Sequence, residues 1–450
     1  MRVIPVILAA GQGTRMRSAT PKVLHSLLGR PLASYSIETA REVSGSKPVL
    51  VIGHGQDEVR QVFGESADYI VQEPQLGTGH AVLQVKQELE GTSDLVLVTY
   101  ADMPLITAAS LRKLVDAQQS HQGPVTMLTV IAEKPRGFGR VIRNEQGEVL
   151  EVVEEAQATP EQLEIQELNS GVYCFEAAWL WETLEKIQLS PKGEYYLTDL
   201  IGIATSQGRS VQALISKDNE EVIGINTRVH LAEAATILRR RINEAWMLAG
   251  VSLIDPATTY VEPGVTIGQD TLIWPNTHLL GETSVGEKCV LGPNTIINST
   301  KIGNNCKVLA SVLEKAIIED DVDIGPFGHL RKGAHLGQGV HMGNFGEVKN
   351  SYLGPGTKMG HFSYIGDTTT GPEVNIGAGT ITCNFDGKNK NHTEIGEGAF
   401  IGSDTMLVAP VEIGSGSRTG AGAVVTRNVP PNSLAVGMPA RTIKKLEKSD

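Results

Sequence analysis

The chain has 450 residues, 40% hydrophobic and 20% charged, with a formal net charge of −12. That length calls for two domains, and the acidic balance excludes the basic face that a nucleic-acid footprint needs. Small phosphorylated ligands remain open, because anion sites are local clusters of Lys, Arg and backbone N–H groups.

The apolar run Ile4–Ala10 is too short for a signal peptide and passes at once into Gly11-Gln-Gly-Thr-Arg15, so it reads as a buried strand entering a loop. Residues 1–226 alternate short β-branched runs with helical patterns. Strands are expected at Val3–Ala9, Pro48–Ile52, Asp94–Thr99 and Thr126–Ile131, and helices at Gly79–Glu90 and Ala108–Gln118, capped by Thr78 and Thr107. This alternation predicts a mostly parallel, doubly wound sheet that binds ligands beyond the carboxyl ends of its strands. Residues 227–250 read as one amphipathic linker helix closed by Gly250.

From 251 to 437 a hydrophobic-Gly pair returns every six residues: Val285-Gly286 and Leu291-Gly292, Leu336-Gly337 and Met342-Gly343, then Leu353-Gly354, Met359-Gly360 and Ile365-Gly366. A beat this short fits one flat side of a parallel β-helix, with the apolar residue inside and Gly allowing the corner that follows. Nineteen residues separate Ile376-Gly377 from Ile395-Gly396, and the polar stretch Cys383–His392 between them reads as an extruded loop suited to binding or assembly. The tail, 438–450, is polar after Pro439 and expected to be mobile. No stretch is long enough to cross a membrane. The four scattered cysteines lack zinc-site spacing and fit a reducing cytosol, so a cytoplasmic location is expected.

Leu8-Ala9-Ala10-Gly11-Gln-Gly-Thr-Arg15, with Pro21-Lys22 downstream, is neither a Walker loop nor a dinucleotide fingerprint. Its glycines expose backbone N–H groups to phosphates, and Arg15 and Lys22 add positive charge. Gly11 and Gly13 alone would read as an ordinary turn. The whole string resembles the signature of the sugar-nucleotide pyrophosphorylases. Nearly the entire chain resembles the bacterial enzymes that are both N-acetylglucosamine-1-phosphate uridyltransferases and glucosamine-1-phosphate N-acetyltransferases. The resemblance implies a Rossmann-like nucleotidyltransferase domain followed by a left-handed β-helix of hexapeptide repeats.

It also implies roles for particular residues. Leu8, Ala9, Ala10, Gly11, Gln72, Gly77 and Thr78 (the last two in Gln75-Leu-Gly-Thr-Gly-His80) would bind the nucleotide, with Lys22 and Arg15 acting on its phosphates. Gly139, Glu154 and Asn169 would bind the sugar, and Asp102 and Asn226 would hold Mg²⁺. Ala101 stands where relatives commonly carry Gly. An oxygen of the sugar phosphate would attack the α-phosphorus of UTP in line, releasing pyrophosphate.

In the solenoid the same resemblance assigns Arg331 and Lys349 to the sugar phosphate, Tyr364 and Asn375 to the sugar, and His361 to the general base, with Glu347 orienting it. Ala378, Asn384, Phe385, Ser403 and Ala421 would line the acetyl-CoA site; Phe385 replaces an expected Tyr, and Met438 stands in a segment where some relatives carry Arg. A homotrimer is implied. His329, His335 and His341 read as solvated surface residues. The rival readings are a monofunctional pyrophosphorylase whose solenoid oligomerises or regulates, and a non-catalytic scaffold. The cluster Arg331, Lys349, His361, Tyr364 and Asn384 argues against the first, and Asp102 with Lys22 and Asn226 against the second.

Overall fold

The computed structural model describes residues 1–445. The chain divides into two compact units, Met1–Leu238 and Arg239–Asp450, and the division falls inside the helix Arg228–Leu248 that was expected at 227–250.

In the first unit the strands are β1 (Val3–Leu8), β2 (Val49–Ile52), β3 (Asp68–Val71), β4 (Leu95–Tyr100), β5 (Val125–Ile131), β6 (Arg140–Arg143), β7 (Val149–Val153), β8 (Glu167–Glu176) and β9 (Val211–Ile215). They form one sheet whose main path runs β9-β5-β8-β4-β1-β2-β3, with β6 and β7 joined to it at β8. Every neighbour on that path is parallel except β8, which runs antiparallel to β4 and β5. β1 and most of β4 are buried throughout, as strands covered on both faces must be. β8 carries the motif Asn169-Ser-Gly171, whose polar composition hides a strand. Its register with β5 shifts between Asn169 and Tyr173, where Gly171 takes φ +83°.

The expected helix at Ala108–Gln118 spans Ala108–Ser120, and Thr107 caps it by accepting from the Ser110 N–H at 3.2 Å. The expected helix at Gly79–Glu90 is two pieces, Thr78–Leu83 and Lys86–Leu89, and Thr78 is not its cap. The hydroxyl of Thr78 instead accepts from the Leu197 N–H at 3.0 Å, and Gly77 precedes the helix at φ +96°. A Cβ at Gly77 would meet the Tyr195 carbonyl oxygen at 2.7 Å, so only glycine fits.

The second unit is the left-handed parallel β-helix. Most strands are two to four residues long and stack in three sheets of twelve, ten and nine strands among the described residues. A typical coil is eighteen residues, as in the pairing of Thr266 with Ser284; it lengthens to twenty-five between Thr368 and Thr393, where the extruded loop leaves the stack. The apolar hexad residues, among them Val285, Leu291, Leu336, Met342, Leu353 and Ile365, form one continuous core.

Gly292 turns left-handed (φ +90°), as expected of a corner, but other hexad glycines have a different reason. Gly286 and Gly343 do not turn left-handed; a Cβ on either would sit 2.5 Å or 2.1 Å from a carbonyl oxygen of the next coil, Gly303 or Gly360. The left-handed residue comes two positions later, as at Lys288 (φ +58°) and Asn305 (φ +56°). At these two positions close stacking of coils, rather than the corner itself, demands the glycine, whereas Gly360 has no backbone of the next coil close to it. The tail also departs from expectation: Arg441–Lys445 pairs antiparallel with Ser433–Val436, while 446–450 lie outside the described residues.

Candidate functional site

At the carboxyl end of β1, Leu8 lies between Val51 of β2 and Tyr100 of β4, and the chain drops into the loop 11–22. Gly13 (φ +64°) allows this loop to close on itself, since a Cβ there would fall 2.7 Å from Cβ of Lys22. Gly11 has open space around it. Lys22 is thereby folded back so that its Nζ donates to the Asp102 carboxylate and lies 3.3 Å from Oδ1 of Asn226. The Ile225 N–H donates to the Asp102 carbonyl at 2.9 Å and holds the Asn226 segment beside the end of β4.

Two cavities meet here. One, of about 200 Å³, is lined by Leu8, Ala9, Ala10, Gly11, Lys22, Gln72, Gly77 and Thr78. The other, of about 380 Å³, is lined by Arg15, Gly139, Glu154, Asn169 and Asn226. Thr78, Tyr100 and Asp102 belong to both. Every residue assigned to the nucleotide half from the sequence therefore lines one of two adjoining cavities. Ala101 does not: its methyl is fully buried with Ile7 and Ala9, and its N–H donates to the Leu8 carbonyl at 3.0 Å.

Burial pushes the Glu154 carboxyl above its usual range, partly offset by a 2.9 Å hydrogen bond from the Thr198 hydroxyl. Burial, with Glu154 nearby, also raises Asp199, and burial raises the Tyr100 hydroxyl. Gln72 donates from Nε2 to the Gly77 carbonyl at 2.8 Å, which fixes the loop that starts the Thr78–Leu83 helix. Asn169 donates to the Tyr173 hydroxyl at 2.7 Å and accepts from the Gly171 N–H at 3.1 Å. Tyr173 was missed in the sequence. Its place four residues beyond Asn169 in one strand was the available signal.

In the solenoid, one flat side stacks His329, Glu347, Tyr364 and Ile381 in register. Arg331 donates to the Glu347 carboxylate at 2.9 Å, so that carboxylate is taken by a guanidinium rather than by His361. Asn384, buried, donates to Asp367 and lies 3.5 Å from the Tyr364 hydroxyl. Asp367 also accepts from Asn350 at 2.6 Å, and its own N–H donates to the Lys349 carbonyl. Asp367 too was missed, because an Asp at a hexad corner looks like a turn residue. Asn375 lies on a different flat side, in register with Lys358 and Phe400, so within one chain it does not join Tyr364.

His361, Ala378, Ser403 and Ala421 occupy equivalent corners of four successive coils. Backbone hydrogen bonds run up this column, from the Gly379 N–H to the Phe362 carbonyl, from Asp404 to Ala378, and from Gly422 to Ser403. At about 4.8 Å per coil the column is about 14 Å long. His361 heads it with an exposed side chain, and the residues above it, Ala378, Ser403 and Ala421, are all small. Phe385 is exposed on the loop under the Lys390 ammonium, 5.6 Å from its ring centre, and Met438 is exposed. His329, His335 and His341 pair with Glu314, Glu319 and Asp323.

The comparisons with known proteins divide the chain in the same two ways. Residues 5–170 match the model of the MobA-like NTP transferase domain, and residues 264–299 and 392–427 match the bacterial transferase hexapeptide model. The Bifunctional protein GlmU of Halalkalibacterium halodurans is 44% identical, covering 98% of this chain and 97% of that protein. The chain belongs to the bifunctional GlmU family. The GlmU proteins of Geotalea uraniireducens (46% identical, 96% and 95% covered) and of an Exiguobacterium species (43%, 99% of each) agree over the same span. As a GlmU-family chain it is a bifunctional transferase, a nucleotidyltransferase joined to a hexapeptide-repeat acetyltransferase, which disfavours both a monofunctional enzyme and a scaffold. Among the described residues no helix is long and apolar enough to cross a membrane.

Proposed function

We propose that the chain makes UDP-N-acetylglucosamine in two steps at two separate sites. Residues 251–437 carry acetyl transfer to glucosamine 1-phosphate, 1–226 carry uridylyl transfer to N-acetylglucosamine 1-phosphate, and 227–250 connect them. The observation that carries the second step is the convergence of Lys22, Asp102 and Asn226 where the two cavities meet.

The smaller cavity takes the uridine, whose base lies against Gln72, Gly77 and Thr78. The larger takes the sugar, with Glu154, Asn169 and Gly139 at its hydroxyl and amide groups. The reacting phosphates meet at the shared wall. A phosphate oxygen of the sugar forms the new bond to the α-phosphorus of UTP as the bond to pyrophosphate breaks, and Arg15 and Lys22 offset the charge on the phosphates. The donor set suits Mg²⁺: a carboxylate and an amide oxygen already converge on one cation, the Lys22 ammonium, and hard oxygen ligands of this kind are what that ion takes. Bound between Asp102 and Asn226, Mg²⁺ would neutralise phosphate charge.

In the solenoid, the amine of glucosamine 1-phosphate attacks the thioester carbonyl of acetyl-CoA. The C–N bond forms and the C–S bond breaks; His361 takes the proton from the amine and passes it to the departing sulfur, so that coenzyme A leaves as its thiol. Arg331 and Lys349 hold the sugar phosphate and Tyr364 the sugar, Asn384 lies at the acetyl end of acetyl-CoA, and the column of Ala378, Ser403 and Ala421 takes the pantetheine arm. Asn375, placed on another flat side, fits this site as a contribution from a neighbouring protomer, which is one reason to propose a homotrimer. Cytoplasmic substrates place the reaction in the cytoplasm.

The experiment is to supply UTP and N-acetylglucosamine 1-phosphate and, separately, acetyl-CoA and glucosamine 1-phosphate, and to follow pyrophosphate and thiol. Both should be released. Release of neither from a folded sample contradicts the reading.

A further inference from the structure

A cavity of about 560 Å³, larger than either cavity of the nucleotide site and sharing no residue with them, opens between the helix Ala108–Ser120 and the edge strand β9. Leu128, Leu214 and Ile215 give it an apolar wall. Its charged lining is two lysines, Lys113 and Lys217, against three carboxylates, Asp116, Asp218 and Glu221. The lysines and aspartates balance, so Glu221 sets the sign of the site.

Glu221 is only 6% exposed. One carboxylate oxygen accepts from the Thr107 hydroxyl at 2.8 Å, while the other is buried with no hydrogen-bond partner. The Thr107 hydroxyl has a single proton and spends it on that bond while accepting from the helix N–H of Ser110, so Thr107 has no donor left for the second oxygen. Glu221 lines the cavity, and a buried carboxylate with half its acceptors unmet is an unfavourable arrangement.

We propose that this cavity is a second small-molecule site, selective for a compact organic cation (an amine or amidinium on an apolar body) whose N–H groups pair with Glu221 while its body lies against Leu128, Leu214 and Ile215. The site bears on the reaction centre through the backbone. Glu221 lies five residues before Asn226, and Thr107 lies five residues after Asp102, so a ligand here touches both segments that supply the oxygens around Lys22.

Benzamidine is the probe, titrated into the full chain by calorimetry and by saturation-transfer NMR. Saturable binding is expected, retained without displacement at saturating UTP and N-acetylglucosamine 1-phosphate and weakened about tenfold or more in Glu221→Gln, the scale of a lost charge-assisted pair. Because Glu221→Gln disturbs the Thr107 bond as well, Ala117→Phe serves as a second variant. It keeps Glu221 and fills the cavity from the helix side, and should abolish binding while uridylyl transfer reports that the unit is folded. No saturable binding, equal affinity in Glu221→Gln, or displacement by UTP would each overturn the proposal.

Discussion

The Lys22 ammonium donates to the Asp102 carboxylate across 80 residues of chain, and both groups are largely shielded from solvent. The contact places a cation and a carboxylate at the wall shared by two cavities, with Asn226 completing the group. Asp102→Ala removes the carboxylate and leaves the ammonium uncompensated, so pyrophosphate release should fall to background while acetyl transfer is kept. Lys22→Ala should lower uridylyl transfer by about 10²–10³-fold, the usual cost of one preorganised charge-stabilising donor. A coupled pyrophosphate assay on both variants checks this, and loss of acetyl transfer in either would mean the two sites are not independent.

Glu154 trades stability for the site it lines. Burial raises its carboxyl above the usual range, so the folded state binds its proton more tightly than the unfolded chain does. The stability linked to that proton is present at acid pH, below the ordinary carboxylate range, and is lost as pH rises through the elevated folded value. At pH 7 the ionised group is therefore a cost. Glu154→Gln should raise Tm at pH 7, and the gain should shrink towards pH 4, while KM for the sugar phosphate rises. Calorimetric scans at the two pH values decide it. A gain that grew on acidification would refute the burial argument.

The fold of the first unit was legible because its strands are apolar runs and its caps are common ones. Thr107 caps its helix as its residue type suggests. Thr78 does not, because a partner 119 residues away, Leu197, competes for its hydroxyl, and no local pattern reports that. The hexads gave away the solenoid but not the reason for glycines such as Gly286 and Gly343, since coil-to-coil clearance is a contact between residues about seventeen apart. The residues proposed for the nucleotide half were readable together only through their family order; individually, Asn169 and Glu154 look like surface or capping residues. Glu347 was expected beside His361, yet a single coil of register puts Arg331 within reach of it first.

That clearance makes a prediction of its own. Gly343→Ala drives a methyl to 2.1 Å from the Gly360 carbonyl oxygen, and the atoms it meets are all Gly360 backbone, with no flexible side-chain end to move. Destabilisation of the solenoid by about 1–3 kcal/mol or more is expected, as for overpacking generally. Lys288→Gly, at φ +58°, should lie between neutral and about 1 kcal/mol stabilising, because the relief of left-handed strain outweighs the added freedom of the unfolded chain. Denaturant unfolding of each variant gives the comparison.

His361 heads the column of Ala378, Ser403 and Ala421, where a thioester laid along that column would present its carbonyl. His361→Ala should lower acetyl transfer by about 10²–10⁴-fold and leave uridylyl transfer unchanged. A rate equal to the parent chain would remove His361 from the chemistry.

The most direct test of the whole account is thiol release from acetyl-CoA when glucosamine 1-phosphate is added to the purified chain, measured for the parent, Asp102→Ala and His361→Ala side by side. The account predicts release that depends on the sugar phosphate in the parent and in Asp102→Ala, and near loss in His361→Ala. No sugar-dependent release from a folded parent that still converts UTP would contradict it.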